Sequence, residues 1–212
     1  MPRGYIATTL AELDALHGQL VPGSHLVFLG GLDGGIQGRR RGLVLRDTCL
    51  LVTADQVRYA YLLRKPLEGT LVSNLIKHDV GVLNIPVCRC TADASAWQAS
   101  IQTGRFPSNV LLVHQGGCRV EGTRRVHSGK TPEVLGERVS GLYNIGTDRK
   151  LPSAWMSKCY GDEEGMETLV QWVCEAGCPA MTVDEGEGNT RYHPQFRSYA
   201  DALAWLQALV DA

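Results

Sequence analysis

Apolar positions in the first half of the chain recur with two different periods, and the changes between them mark alternating helices and strands. Leu10, Leu13, Leu16 and Leu20 fall on one helical face. Thr9, with Glu12 three residues on, forms the capping box expected to start that helix. Val21-Pro22-Gly23 stops it, and His25 to Leu29 is a short apolar run suited to a strand buried on both faces. Leu43 to Thr53 and Val57 to Leu63 read as two strands joined through Ala54-Asp55-Gln56, and so short a connection predicts antiparallel pairing. Leu43, Leu45 and Asp47 alternate with Val44, Arg46 and Thr48, which gives the first strand a wet face at its start and a buried end at Leu50 to Val52. Beyond Pro66, Thr70 caps a helix running to about Lys77, where Lys77 and His78 suit the negative helix end.

The second half is patterned less evenly. From Asp79 to Gly104 the signal is weak, with a short helix predicted over Ser95 to Gln102. Val110 to His114 reads as an apolar strand that Gly116-Gly117 ends. Cys118 to Pro152, rich in Gly, Arg, Ser and Thr and without a period, reads as a long excursion. Met166, Leu169, Val170 and Val173 predict an amphipathic helix over Glu163 to Ala176, closed by Gly177 and Pro179. Ser198 with Asp201 caps a last helix whose face is Leu203, Leu206 and Val210, widened by Trp205 and Leu209. Gly30 to Gly42 holds six glycines and Arg39, Arg40 and Arg41. Each glycine costs a helix about 1 kcal/mol relative to alanine, so this stretch is expected to be a flexible basic loop.

These elements describe an α/β protein with a mixed, mainly parallel sheet. At 212 residues and 44% hydrophobic, a single domain over 1–212 is expected. Its parts are a core over 1–115, a loop-rich excursion over 116–152 and an acidic helical part over 153–212. No apolar run approaches a bilayer-spanning length, and Pro2, Arg3 and Tyr5 do not read as a signal sequence, so a soluble cytoplasmic protein is expected, with no membrane partner. Residues 1–150 carry 18 Lys/Arg against 12 Asp/Glu, whereas 151–212 carry 3 against 10. Such asymmetry fits either a phosphate-facing surface or a dipolar surface with no partner.

The seven cysteines are odd in number and irregular in spacing, so reduced thiols are expected and no metal. A zinc site from Cys88, Cys90, Cys174 and Cys178 is the alternative, against which the Cys-x-Cys and Cys-x-x-x-Cys spacings count. No Ser/His/Asp order, His-x-x-x-His pair or phosphate loop appears.

One linear passage carries a resemblance. Arg64-Lys65-Pro66-Leu67, a short helix, Gly81-Val82-Leu83-Asn84-Ile85 and then Cys88-Arg89 resemble, in order and spacing, a signature of the amino-group DNA methyltransferases of phages and bacteria. Leu20 to Gly31, Leu45-Arg46-Asp47-Thr48 and Gly104-Arg105-Phe106-Pro107-Ser108-Asn109-Val110 are similar to further landmarks, so the likeness covers roughly residues 10 to 115. In the family the stretch after Gly31 is a helix and the strand pair forms a hairpin at the edge of the sheet. Two family hallmarks are missing. No Pro-Pro-aromatic tetrapeptide occurs, and Phe28-Leu29-Gly30-Gly31-Leu32 lacks the second glycine of the Phe-x-Gly-x-Gly turn.

The resemblance implies a Rossmann-like, truncated methyltransferase fold, S-adenosylmethionine as the cofactor, DNA as the partner and a phage-encoded protein in a bacterial cell. With both hallmarks missing, whether the chain is an enzyme stays open and no catalytic or cofactor-binding residue is assigned. The expected function is a degenerate DNA-modification protein. The alternatives are a non-catalytic DNA-binding or accessory subunit, with a partner protein or as a homodimer, and a repurposed nucleotide- or base-modifying enzyme. The candidate DNA-binding residues are Arg39, Arg40, Arg41, Arg64, Lys65, Arg105, Phe106, Arg124 and Arg125. Guanidinium groups clasp phosphate, and an aromatic beside them can stack on a base. Asn74 and Asn84 are read as local backbone caps or, less simply, as base readers.

Overall fold

A computed structural model of the protein describes residues 4–88, 108–127, 166–181 and 193–211. The chain divides into two compact units. The first comprises Met1–Cys88, Pro107–Cys118 and Cys174–Ala212, and the second Arg89–Phe106 and Arg119–Val173.

The first unit is built on a six-stranded mixed sheet. Its elements are β1 (Gly4–Ala7), α1 (Leu10–Gln19), β2 (His25–Gly30), α2 (Gly34–Arg40), β3 (Val44–Val52), β4 (Val57–Arg64), α3 (Leu71–His78), β5 (Val110–Val113), β8 (Gln195–Phe196) and α4 (Tyr199–Val210). The spatial order is β1-β2-β4-β3-β5-β8, and β4 alone runs against the others. The α/β class and the mainly parallel sheet are therefore as expected. The β3–β4 hairpin pairs as its short turn predicts, but it lies inside the sheet, with β4 between β2 and β3 and with β5 on the far side of β3.

Alternation assigns each residue of the central strands to a layer. Val27, Leu29, Ala60, Leu62, Cys49, Leu51, Leu111 and Val113 pack against Ala202, Leu206 and Val210 of α4. On the other face Leu26, Phe28, Tyr61 and Leu63 meet Leu13 and Leu20, with Leu16 at the margin. The capping box at the start of α1 forms as the sequence predicts. Thr9 Oγ1 accepts from the Glu12 amide, and Glu12 Oε2 accepts from the Thr9 amide. Ser198 caps α4 by accepting from the Asp201 amide, and Thr70 caps α3 by accepting from the Ser73 amide.

Within the expected loop over Gly30 to Gly42, Gly34–Arg40 is instead the helix α2. The glycines that weaken its intrinsic propensity are what seat it. Gly34, Gly35 and Gly38 are buried. A Cβ on Gly38 would stand 2.7 Å from both methyls of Leu63, and one on Gly34 would overlap the Tyr61 ring. Bare backbone lets the helix lie directly on β4, so tertiary packing offsets the propensity cost.

Two side chains from the signature passage brace the loops below β2 and β4. Lys65 Nζ donates to the Leu20 carbonyl at 2.6 Å, while its backbone exchanges hydrogen bonds with Gly23 and Ser24. Asn74, fully buried, donates from Nδ2 to the Pro22 and Val80 carbonyls and accepts from the Glu68 amide at Oδ1. Asn74 is thus a backbone bracket, the simpler of the two readings of this residue.

In the second unit, β6 (Arg119–His127) and β7 (Met166–Val173) form an antiparallel two-stranded sheet. This corrects two expectations. Residues 119–127 of the supposed excursion are a strand, and the helix predicted over Glu163 to Ala176 is a strand at 166–173. The spacing of Leu169, Val170 and Val173 fits a helix, but Thr168, Val170, Trp172 and Val173 also favour a strand. Pairing with β6 from Arg119↔Val173 to His127↔Met166 decides it. The helix expected over Ser95 to Gln102 lies outside the described residues.

Two glycine replacements separate the packing account from propensity. Gly38→Ala should lower stability by roughly 1–3 kcal/mol despite the better helix former, because Leu63 must move. Gly18→Ala in α1, where a Cβ meets nothing within 4 Å, should raise it by up to about 1 kcal/mol. Chemical-denaturation midpoints of the two variants check both signs.

Candidate metal centre

The edge of the sheet formed by β5 and β8 carries four soft donors into one place. Leu111 and Val113 face α4, so Leu112 and the next residue of like parity, His114, face the opposite side. The His114 amide donates to the Phe196 carbonyl, which fixes the backbone at the end of the strand. The chain then turns through Gln115-Gly116-Gly117, with the Cys118 amide donating to the Gln115 carbonyl at 3.0 Å. A second turn, Cys174-Glu175-Ala176-Gly177-Cys178, repeats the arrangement, with the Cys178 amide donating to the Glu175 carbonyl at 3.1 Å. Gly177 has φ +81°, a left-handed conformation that glycine adopts without strain, and a Cβ on Gly117 would overlap the Glu175 carboxylate. The register Arg119↔Val173 leaves Cys118 and Cys174 at the two chain ends flanking the β6–β7 pair.

His114 Nδ1 and the three sulfurs of Cys118, Cys174 and Cys178 all lie within 4.8 Å of one another. His114 Nδ1 is 3.4 Å from both the Cys174 and Cys178 sulfurs. A tetrahedral zinc with bonds of about 2.3 Å to sulfur and about 2.0 Å to nitrogen requires ligand–ligand edges of roughly 3.5–3.8 Å. The cluster is close to that geometry, and its Cys3His composition is that of a closed structural zinc site, with no position left for a reacting water.

The surroundings fit the same group. His114 Nε2 lies 2.9 Å from Gln195 Oε1. An amide oxygen only accepts, so Nε2 carries the proton and Nδ1 offers its lone pair towards the sulfurs. Burial lowers the His114 pKa, which keeps the ring neutral as a ligand must be. The Cys174 thiol is pushed up to about 12, first by burial and then by Cys178 and Cys118. Burial pushes Cys178 the same way, but hydrogen bonds from the backbone of Ala180 and Gln115, from the Cys118 thiol and from the backbone of Met181 outweigh it and leave this thiol below its ordinary value. The Glu175 amide also donates to the Cys118 sulfur, at 3.4 Å. Amides aimed at sulfur stabilise thiolate, the form that binds metal. Leu112, Cys178 and Ala180 are buried together, with Val52, Val110 and Met181 around them, which covers the Cys178 side of the cluster, while Cys118 and Cys174 are half-buried.

The expectation of no metal is therefore corrected. The zinc alternative named two of these ligands, and the structure places a third residue of that set elsewhere. Cys174 and Cys178 belong to the cluster, but Cys88 is buried against α4, its thiol facing the Trp205 carbonyl at 3.9 Å, and Cys90 lies outside the described residues. Three intervening residues fall within the usual range for paired zinc ligands, so the spacing was no obstacle. The signal was in the sequence as two matched pentapeptides, His-x-x-Gly-Cys and Cys-x-x-Gly-Cys.

The candidate DNA-binding residues do not converge on this cluster. Arg39 and Arg40 are exposed in the last turn of α2, and Arg41 pairs with Asp14, its Nε 2.5 Å from the carboxylate. Arg64 ends β4, and Lys65 is engaged as described above. Arg124 and Arg125 are exposed on β6 of the second unit. Arg105 and Phe106 lie outside the described residues. Ser108 and Asn109 hold the entry to β5: Ser108 Oγ accepts from the Val110 amide, and the Asn109 carbonyl accepts from Leu50. Among the described residues, no helix is long and apolar enough to cross a membrane. In comparisons with known proteins, no family model, no curated protein and no solved structure matches this chain.

Gln195→Met should weaken zinc binding by about 10–100-fold without removing a ligand, because the imidazole loses the acceptor that sets its tautomer. Competition with a chromophoric chelator measures the affinity, and cobalt substitution should keep a tetrahedral thiolate spectrum in the variant.

Proposed function

We propose that this chain is a zinc-stabilised α/β protein whose metal is structural. The observation that supports this reading is the closed set of His114, Cys118, Cys174 and Cys178, with Gln195 orienting the histidine. Cys118 is the last residue before the inserted segment Arg119–Val173 and Cys174 the first after it. A metal held by both would fasten the two chain ends between which the insertion is carried. When bound, zinc supplies no acid–base or electrophilic step here. His114 supplies a neutral nitrogen and the cysteines three thiolates.

A second reading gives the insertion a partner. Arg119 and Arg124 are exposed on β6, beside Arg125 on the same strand, and exposed guanidinium groups on a strand suit a phosphate backbone. Together with the resemblance to DNA-modification enzymes over residues 10–115, this favours a non-catalytic, DNA-binding accessory protein over a catalyst.

Purified protein should contain one zinc per chain by elemental analysis, and Cys178→Ser should lose it and melt at a markedly lower temperature. Metal-free protein that melts like the wild type would rule the structural role out. For the second reading, binding to duplex DNA should weaken steeply with salt, and Arg119→Gln or Arg124→Gln should each reduce the salt slope by about 1. An unchanged slope would remove the insertion from the interface.

A further inference from the structure

A cluster of basic groups at the opposite end of the central strands is not used by the metal centre. His25 opens β2 and is directly opposite Arg64, the last residue of β4. By alternation both share the sheet face of Val27 and Leu62. Next along the sheet, Arg64 also pairs with Val44, and the β3 register then shifts between Leu45 and Asp47, leaving Arg46 outside the ladder. The bulge keeps Arg46 beside the other two.

One of these groups lacks a partner. Arg64 Nε is fully shielded from solvent and has no hydrogen-bond partner. A shielded guanidinium N–H without an acceptor is costly, and native proteins nearly always supply one. Among the described residues, no ion pair compensates it. The charge that Arg64 feels is that of Arg46, a like charge, which together with burial lowers its pKa. His25 is buried, and its pKa falls to about 4, first through burial and then through the same two arginines. A neutral imidazole and two guanidinium groups thus stand together with no carboxylate among the described residues acting on His25 or Arg64. Lys65, the next residue, is occupied by the Leu20 carbonyl and does not contribute.

We propose that Arg64, Arg46 and His25 form an anion site for a phosphate group, the two guanidinium forks matching the charge of a phosphate and His25 contributing a neutral N–H. Planar forks bind phosphate oxygens in pairs, and both are open to one, because Arg64 is only half-buried and Arg46 is exposed. The phosphate can come from a free phosphate or phosphate monoester, or from a DNA backbone. The site lies in the first unit and does not depend on the metal or on the arginines of β6.

The test is calorimetric titration of the zinc-loaded, full-length protein with inorganic phosphate and, separately, with a short duplex DNA, in wild type, Arg46→Gln and Arg64→Met. Arg46 is exposed, so its variant should melt as the wild type does and carries the decision if Arg64→Met fails to fold. We expect saturable binding of one phosphate per chain that weakens about tenfold or more in either variant, the loss of one charge-assisted contact. If inorganic phosphate binds too weakly to measure but the affinity for DNA falls about tenfold in both folded variants, the phosphate is that of a DNA backbone. If neither ligand binds, or if Arg46→Gln binds both as the wild type does, the site does not exist.

Discussion

Burial of the central strands on both faces is the constraint from which the rest of the architecture follows. Every residue of β2 from His25 to Leu29 is buried, and so are Ala60 to Leu63 of β4. Helices must therefore close both faces within contact distance, and any polar group in the layer must be satisfied or neutral. The three buried glycines of α2 meet the first demand by letting its backbone touch Tyr61 and Leu63. Lys65 and Asn74 meet the second by tying down the carbonyls of Leu20, Pro22 and Val80 where the chain enters and leaves the layer. His25 meets it by remaining uncharged, and Arg64 Nε is the exception.

The metal centre grows from the same sheet but at a weaker place. β5 and β8 are short, and only Leu112↔Gln195 and Val113↔Phe196 pair between them. Two paired positions would not hold a chain edge rigidly on their own. The strands do, however, place His114 and Gln195 next to each other. A donor set that spans His114, both cysteine turns and the β8 acceptor would add the rigidity that the ladder lacks. Regular structure here sets direction, and coordination would set position.

The sequence disclosed the parts of the fold governed by local rules. The capping box at Thr9, the cap at Ser198, the buried run from His25 and the antiparallel hairpin through Ala54-Asp55-Gln56 all form as the sequence predicts, because caps, short turns and apolar runs act over a few residues. The misreadings each have a non-local cause. Gly34, Gly35 and Gly38 looked like helix breakers because their partners, Tyr61 and Leu63, lie on another strand. β7 looked helical because its spacing was counted without knowing that β6 would pair with it. Of the metal ligands, Cys174 and Cys178 stand in the zinc alternative but His114 and Cys118 do not, because the pairing of the two turns spans the whole insertion and no local spacing links them.

That separation also explains why a metal would be useful at this point in the chain. The segment Arg119–Val173 leaves the first unit and returns to it, and closing a flexible loop of that length costs on the order of 4 kcal/mol in chain entropy. The pairing of β6 with β7 offsets part of this. A structural zinc contributes roughly 10–16 kcal/mol of apparent binding free energy at neutral pH, well beyond that closure cost. With Cys118 and Cys174 both bound, loosening of the ribbon need not propagate into β5, and the sheet can carry an insertion without depending on its fold. The margin lies with coordination rather than packing, so substitutions on the ribbon should be tolerated where substitutions at the four ligands are not.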